Sequence, residues 1–129
     1  MKISNYLLPV LLLCSCKNST ESTFGIKVET EETVYKFEPA DNGAGPMWCH
    51  GNTCIVRYGD KVIVSGLETL QEVKPLHNTR WMLFERTDKG WELLLKDEKG
   101  RTREPSPIGL SNNGKVFLSV NPTLTEPDS

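Results

Sequence analysis

The sequence predicts an all-β protein built from short antiparallel strands. Short apolar runs rich in β-branched residues recur along the chain, and glycine-containing turns separate them. Residues 61–65, KVIVS, also return 54 positions later as residues 115–119, KVFLS. A repeat near 50 residues made of short strands is typical of a β-propeller, in which each repeat is one four-stranded blade. We therefore predict antiparallel four-stranded blades of a β-propeller, with about one and a half blades present.

The first residues have the pattern of an export signal. Lys2 precedes an apolar run over 6–13 that is too short to span a bilayer as a mature helix. The following Leu13-Cys14-Ser15-Cys16 resembles the lipobox of bacterial lipoproteins, in which a small residue precedes the acylated cysteine. The resemblance implies a signal peptide over 1–15, lipidation of Cys16 and a polar tether over 16–33. It also implies a secreted protein that its lipid anchors to a membrane of the bacterial envelope. An ordinary secretory signal with incidental cysteines is the alternative.

The composition is that of an ordinary globular domain. Charged residues make up 25% of the chain, hydrophobic residues 37%, and the formal net charge is −2. A mild acidic balance with mixed signs lacks the basic stripe that nucleic acid requires, so we expect no nucleic-acid partner. We also expect no cofactor.

The first predicted elements run up to residue 100. Residues 29–38 include the β-branched Thr30, Thr33 and Val34 and end in polar–apolar alternation, which predicts an N-terminal edge or closing strand. The small and turn-forming residues of 39–46 predict a loop. Short glycine-bearing turns at 59–60 and 88–90, and a longer crossing over 68–79, then join successive strands into an antiparallel meander. We predict this meander as the first blade, about 48–100, with strands over 54–58, 61–67, 80–86 and 91–96.

A second blade is predicted to begin after the proline-punctuated stretch 103–107. Residues 108–110 and 115–120 are its first two strands, and Asn113-Gly114 between them is the strongest short hairpin signal in the chain. This blade covers about 105–125, so the partial propeller occupies 34–129. The chain would then hold only part of the architecture that its repeat predicts.

Two cysteines remain in the predicted mature chain. With Cys16 acylated and Cys14 removed, Cys49 and Cys54 form an even pair around Gly51-Asn52, which suits a tight reversal. A disulfide between them is the favoured interpretation in an oxidising compartment. Free thiols, or a metal held by both cysteines and His50, are the alternatives. The spacing lacks a fourth ligand of known zinc sites, so we predict no metal.

Several segments together resemble a known family. They are Asn42–Cys49, Gly51–Cys54, Ser65–Thr69, Arg80–Arg86 and the stretch from Arg103 to Thr123. They resemble the N-terminal blade of secreted bacterial sialidase-like, BNR-repeat-type β-propeller proteins over roughly residues 34–125. The resemblance implies a glycan-related protein at the cell surface. Sialidases carry a Phe/Tyr-Arg-Ile-Pro motif that is absent here, and Thr87–Trp91 holds only a shortened echo of the family's Asp-box. No catalytic residue is therefore predicted, and whether the protein is an enzyme stays open.

Four residues are candidates for ligand contact. In a propeller, the loops leading into the innermost strands form the binding face, which points to Trp48, His50, Arg103 and Glu104. An aromatic face stacks on a sugar ring, while Arg and Glu bind hydroxyls or a carboxylate. We therefore expect a glycan or other carbohydrate ligand. Each residue also has a plain structural interpretation: packing for Trp48, a loop donor for His50, and a mutual surface ion pair for Arg103 and Glu104. A non-catalytic binding or scaffold propeller, and an inactive truncated product, are the alternative functions.

Overall fold

The computed structural model describes residues 25–28, 30–48 and 51–124. These residues form an all-β structure without a helix, and thus without a helix long and apolar enough to cross a membrane. The strands belong to a compact unit that begins at Glu32. They are β1 Ile55–Tyr58, β2 Lys61–Thr69, β3 Thr79–Thr87, β4 Gly90–Lys96, β5 Ile108–Leu110 and β6 Val116–Leu118.

The strands form two antiparallel sheets. The first has the order β1-β2-β3-β4, and the second is the hairpin β5-β6. Both were predicted from the sequence, and the all-β class is confirmed. The arrangement of these sheets as propeller blades stays a prediction.

Tight turns connect β1 to β2 and β3 to β4, whereas the longer segment 70–78 connects β2 to β3. Tyr58 pairs with Lys61, which leaves two residues in the first turn, and Gly59 there has a φ of 59°. Thr87 pairs with Gly90 across the second turn, where Gly90 has a φ of 108°. Glycine adopts these left-handed conformations without the steric cost that a Cβ would impose. The local sequence therefore determines where each hairpin reverses.

The two faces of the larger sheet bury different side chains. Val64, Gly66, Met82 and Phe84 lie on one face, since cross-strand partners point to the same side. Leu67 and Leu83 lie on the opposite face, and both are buried. The buried apolar side chains of the sheet are Val64, Leu67, Met82, Leu83 and Phe84.

The predicted N-terminal strand over 29–38 is wrong for its described residues 30–38, which belong to no strand. Residues 32–40, which we call the strap, instead lie against one face of the larger sheet through side-chain contacts. The Tyr35 ring stacks on Phe84 with a centroid separation of 5.0 Å and an interplanar angle of 9°. The Tyr35 hydroxyl accepts a hydrogen bond from the Leu67 backbone N–H at 3.1 Å. Burial raises the pKa of Tyr35.

Polar contacts hold both ends of the strap. The Glu32 carboxylate accepts hydrogen bonds from Arg86 Nη2 at 2.7 Å and Arg86 Nε at 2.8 Å. Trp91 Nε1 donates to the same carboxylate at 3.0 Å. At the other end, Asn78 Nδ2 donates to the Ala40 carbonyl at 2.7 Å. The polar–apolar alternation that predicted a strand therefore reflects side chains that contact a face of the sheet, and the backbone of the strap does not pair with a strand.

Glu32→Gln is expected to destabilise the protein at pH 7 and to have a smaller effect as the pH falls. The hydrogen bond from Arg86 holds the pKa of Glu32 below its usual range. A lowered folded-state pKa stabilises the protein above the unfolded-state pKa, and this contribution is lost as the pH falls through the folded-state value. Urea unfolding at pH 7 and at about pH 3 measures the difference. Glu31→Gln, at an exposed neighbour, is the control. A Glu32→Gln effect of equal size at both pH values would contradict the assignment.

Residues 101–107 lie beside the start of β3. Thr79 and Thr102 exchange backbone hydrogen bonds, from Thr102 N to Thr79 O at 2.7 Å and from Thr79 N to Thr102 O at 3.2 Å. Thr79 Oγ1 also donates to the Thr102 carbonyl at 2.6 Å. Both threonines are buried. This bridge fixes the position of the two residues that follow it, Arg103 and Glu104.

Candidate functional site

A polar cleft of about 310 Å³ opens where three segments of the chain meet. The loop before β3 contributes His77, the segment after the Thr79–Thr102 bridge contributes Arg103 and Glu104, and the residues after β6 complete the lining. Its lining residues are His77, Arg103, Glu104, Asn121, Pro122, Thr123 and Leu124. Two of the four residues predicted to contact a ligand therefore share one cleft.

The buried Thr102 side chain ties two of these segments together. Its Oγ1 lies 3.1 Å from the Glu104 carbonyl and 3.2 Å from the Asn121 carbonyl. The same oxygen lies 3.3 Å from the Glu104 backbone nitrogen. Next to this contact, the Thr123 backbone N–H donates to the Arg101 carbonyl at 2.8 Å. These hydrogen bonds hold the segment around Thr102 against the residues after β6.

His77 is a lining residue that the sequence did not single out. Its Nδ1 lies 2.7 Å from Thr123 Oγ1, so one ring nitrogen is engaged within the cleft wall. The preceding Leu76 has a φ of 126°, which is unusual for a residue with a Cβ, and its side chain is exposed. Such a conformation costs about 1–3 kcal/mol and is often found beside functional residues. The backbone of the loop thus places His77 against the last segment of the cleft.

The loop over 42–44, before β1, contacts Arg103. Asn42 is buried, and its Nδ2 donates to the Arg103 carbonyl at 3.4 Å. Its Oδ1 accepts from the Ala44 N–H at 2.9 Å, which fixes the loop. A Cβ on Gly43 would lie 3.7 Å from Arg103 Nη2, so the guanidinium lies close to this loop. The residues 42–44 are among those that carried the family resemblance.

The other predicted residues lie elsewhere or outside the described residues. Trp48 does not line the cleft; the residue is 50% exposed, and its backbone N–H donates to the Gly45 carbonyl at 2.9 Å. Cys16, Cys49 and His50 fall outside the described residues. Cys54 has a free thiol in the structure, and its disulfide with Cys49 stays a prediction.

The cleft combines hydrogen-bond donors and acceptors of several kinds. Arg103 supplies a guanidinium, Glu104 a carboxylate, and the neighbouring side chains an imidazole, an amide and a hydroxyl. A ligand with several hydroxyl groups, each of which can donate and accept, matches such a mixture. Among the described residues, no group of three potential metal ligands comes together.

Comparison of the chain with protein-family models, with curated proteins and with solved structures found no match. The functional inference therefore depends on the chemistry of the cleft and on the motifs in the sequence.

Proposed function

We propose that this chain is a glycan-binding module that holds one sugar residue in the cleft formed by His77, Arg103 and Glu104. The observation that carries the proposal is the position of Arg103 and Glu104, which line one open cleft of about 310 Å³ together with a histidine. This volume is at the lower end of the range for small-molecule sites, so the cleft has room for one ring.

Charge-assisted hydrogen bonds would supply most of the affinity. The Arg103 guanidinium can donate two parallel hydrogen bonds to vicinal hydroxyls or to a carboxylate. Glu104 can accept from hydroxyls, and the apolar ring of Pro122 offers a surface for C–H groups. Arg103 and Glu104 lie on the same short segment, which Thr102 holds by hydrogen bonds. The backbone that carries both side chains is therefore held in place before the ligand arrives, which lowers the entropic cost of binding.

Binding without hydrolysis fits the described lining better than catalysis does. Glycoside hydrolysis generally uses two carboxyl groups across the scissile bond. Glu104 is the one carboxylate among the described residues that line the cleft. We extend the proposal to a surface-anchored lipoprotein of the bacterial envelope with a propeller-type scaffold. The support for the anchor is the lipobox resemblance at Cys16.

Arg103→Ala is expected to lower the affinity for a bound glycan by at least about ten-fold, because hydrogen bonds from a charged group contribute about 1.5–3 kcal/mol. A glycan array identifies ligands of the purified chain, and calorimetric titration of the best of them measures the affinity. Arg57→Ala is the matched control, since Arg57 is an exposed arginine of β1 that does not line the cleft. Failure of every arrayed glycan to bind, or equal losses in both variants, would refute the proposal. Release of free sugar from the bound glycan would show hydrolysis instead.

A further inference from the structure

The outer edge of β4 is open and strongly apolar. β4 pairs with β3 along one edge, and no other described strand pairs with it. Three consecutive leucines, Leu93, Leu94 and Leu95, are 48%, 44% and 56% exposed. An unpaired edge with such side chains is a template for another strand.

The residues of β4 and their partners on β3 determine which side chains would lie beside an added strand. Leu93 lies opposite Phe84, which lies opposite Val64, so this row of the sheet is apolar. Glu92 lies opposite Glu85 on the other face, and like charges directly opposite each other destabilise a sheet. The Lys61 ammonium lies 3.7 Å from the Glu85 carboxylate, on the side away from β4. A cation on the open side of Glu92 would offset the repulsion.

A second copy of β4 fits this edge poorly. The register shifts between Leu83 and Phe84, so Leu94 has no partner on β3, and Leu93 and Leu95 point to opposite faces. Two β4 strands therefore cannot pair symmetrically across the whole edge. A symmetric pairing centred on Glu92 would place two Glu92 carboxylates directly opposite each other.

We propose that the outer edge of β4 binds an extended strand of a partner protein that carries a lysine or arginine opposite Glu92 and an apolar residue opposite Leu93. The new strand would extend the four-stranded sheet by one through backbone hydrogen bonds. Its basic residue would pair with Glu92, and its apolar neighbour would continue the row of Leu93, Phe84 and Val64. No residue of β4 lines the polar cleft, so this surface is independent of glycan binding.

Two labelled peptides test the proposal by fluorescence anisotropy with the purified full-length chain. One is acetyl-Thr-Val-Lys-Val-Thr-amide, and the other has glutamate in place of the lysine. Valine flanks the central residue on both sides, so that a valine lies opposite Leu93 whether the peptide pairs parallel or antiparallel to β4. The lysine peptide is expected to bind about three- to five-fold more tightly. Glu92→Lys is expected to reverse this preference, while Glu72→Lys, at an exposed loop position, should leave it unchanged. Leu93→Asp should weaken both peptides.

Three results would overturn the proposal. The first is equal binding of the two peptides, or binding of neither. The second is an unchanged preference in Glu92→Lys, whose fold is checked by circular dichroism and thermal unfolding. The third is self-association of the chain that Leu93→Asp abolishes, because this would identify a second copy as the occupant of the edge.

Discussion

Gly66→Ala is expected to destabilise the protein by about 2–3 kcal/mol, because it overpacks the contact between the sheet and the strap. A Cβ on residue 66 would lie 2.7 Å from two carbon atoms of the Tyr35 ring and 2.9 Å from its hydroxyl oxygen. The ring is stacked on Phe84, and its hydroxyl is bonded to the Leu67 N–H. Tyr35 cannot move away without losing both contacts. The free energy of unfolding in urea measures the effect.

Two comparisons separate this clash from a general cost of alanine in a strand. Gly109→Ala in β5 is the matched control, since a Cβ there would meet no atom within 4 Å. It is expected to change the free energy of unfolding by less than about 1 kcal/mol. In a Tyr35→Ala background, Gly66→Ala is expected to lose most of its cost, because the ring it would strike is gone. A cost that persists undiminished in that background would show that Tyr35 is not the cause.

The sequence predicted the strands better than it predicted the strap, because the hairpins depend on local features and the strap depends on distant contacts. The hairpins depend on features close together in the sequence, such as Gly59, Gly90 and Asn113-Gly114, and their predicted bounds differ from the observed ones by a few residues at most. The strap depends on contacts with residues far along the chain, from Tyr35 to Phe84 and from Glu32 to Arg86. Polar–apolar alternation cannot distinguish a segment that pairs in a sheet from one that lies on its face.

The cleft was predictable only in part, because some of its residues are marked by their local sequence and others reach it through contacts far along the chain. Arg103 and Glu104 stand out as charged residues in the proline-containing stretch before the β5-β6 hairpin. His77 reaches the cleft because its ring meets Thr123, 46 positions later, and because Leu76 adopts a φ of 126°. Neither the contact with Thr123 nor the backbone conformation of Leu76 can be predicted from the residues around His77.

Leu67→Ala is expected to destabilise the protein by about 3–4 kcal/mol, since a large buried side chain would leave a cavity. Leu67 is 1% exposed and lies in β2 opposite Trp81. The substitution keeps the backbone N–H that donates to Tyr35, so its cost reports side-chain burial alone.

Leu95→Ala is the matched control, because Leu95 points to the same face of the sheet as Leu67. The two leucines differ in burial, since Leu95 is 56% exposed. Its truncation should cost less than about 1 kcal/mol in urea unfolding. Together the pair measures how burial on this face falls from the centre of the sheet to its open edge. Similar costs for the two would mean that the β4 edge is already covered in solution, and would count against an edge free to accept a partner strand.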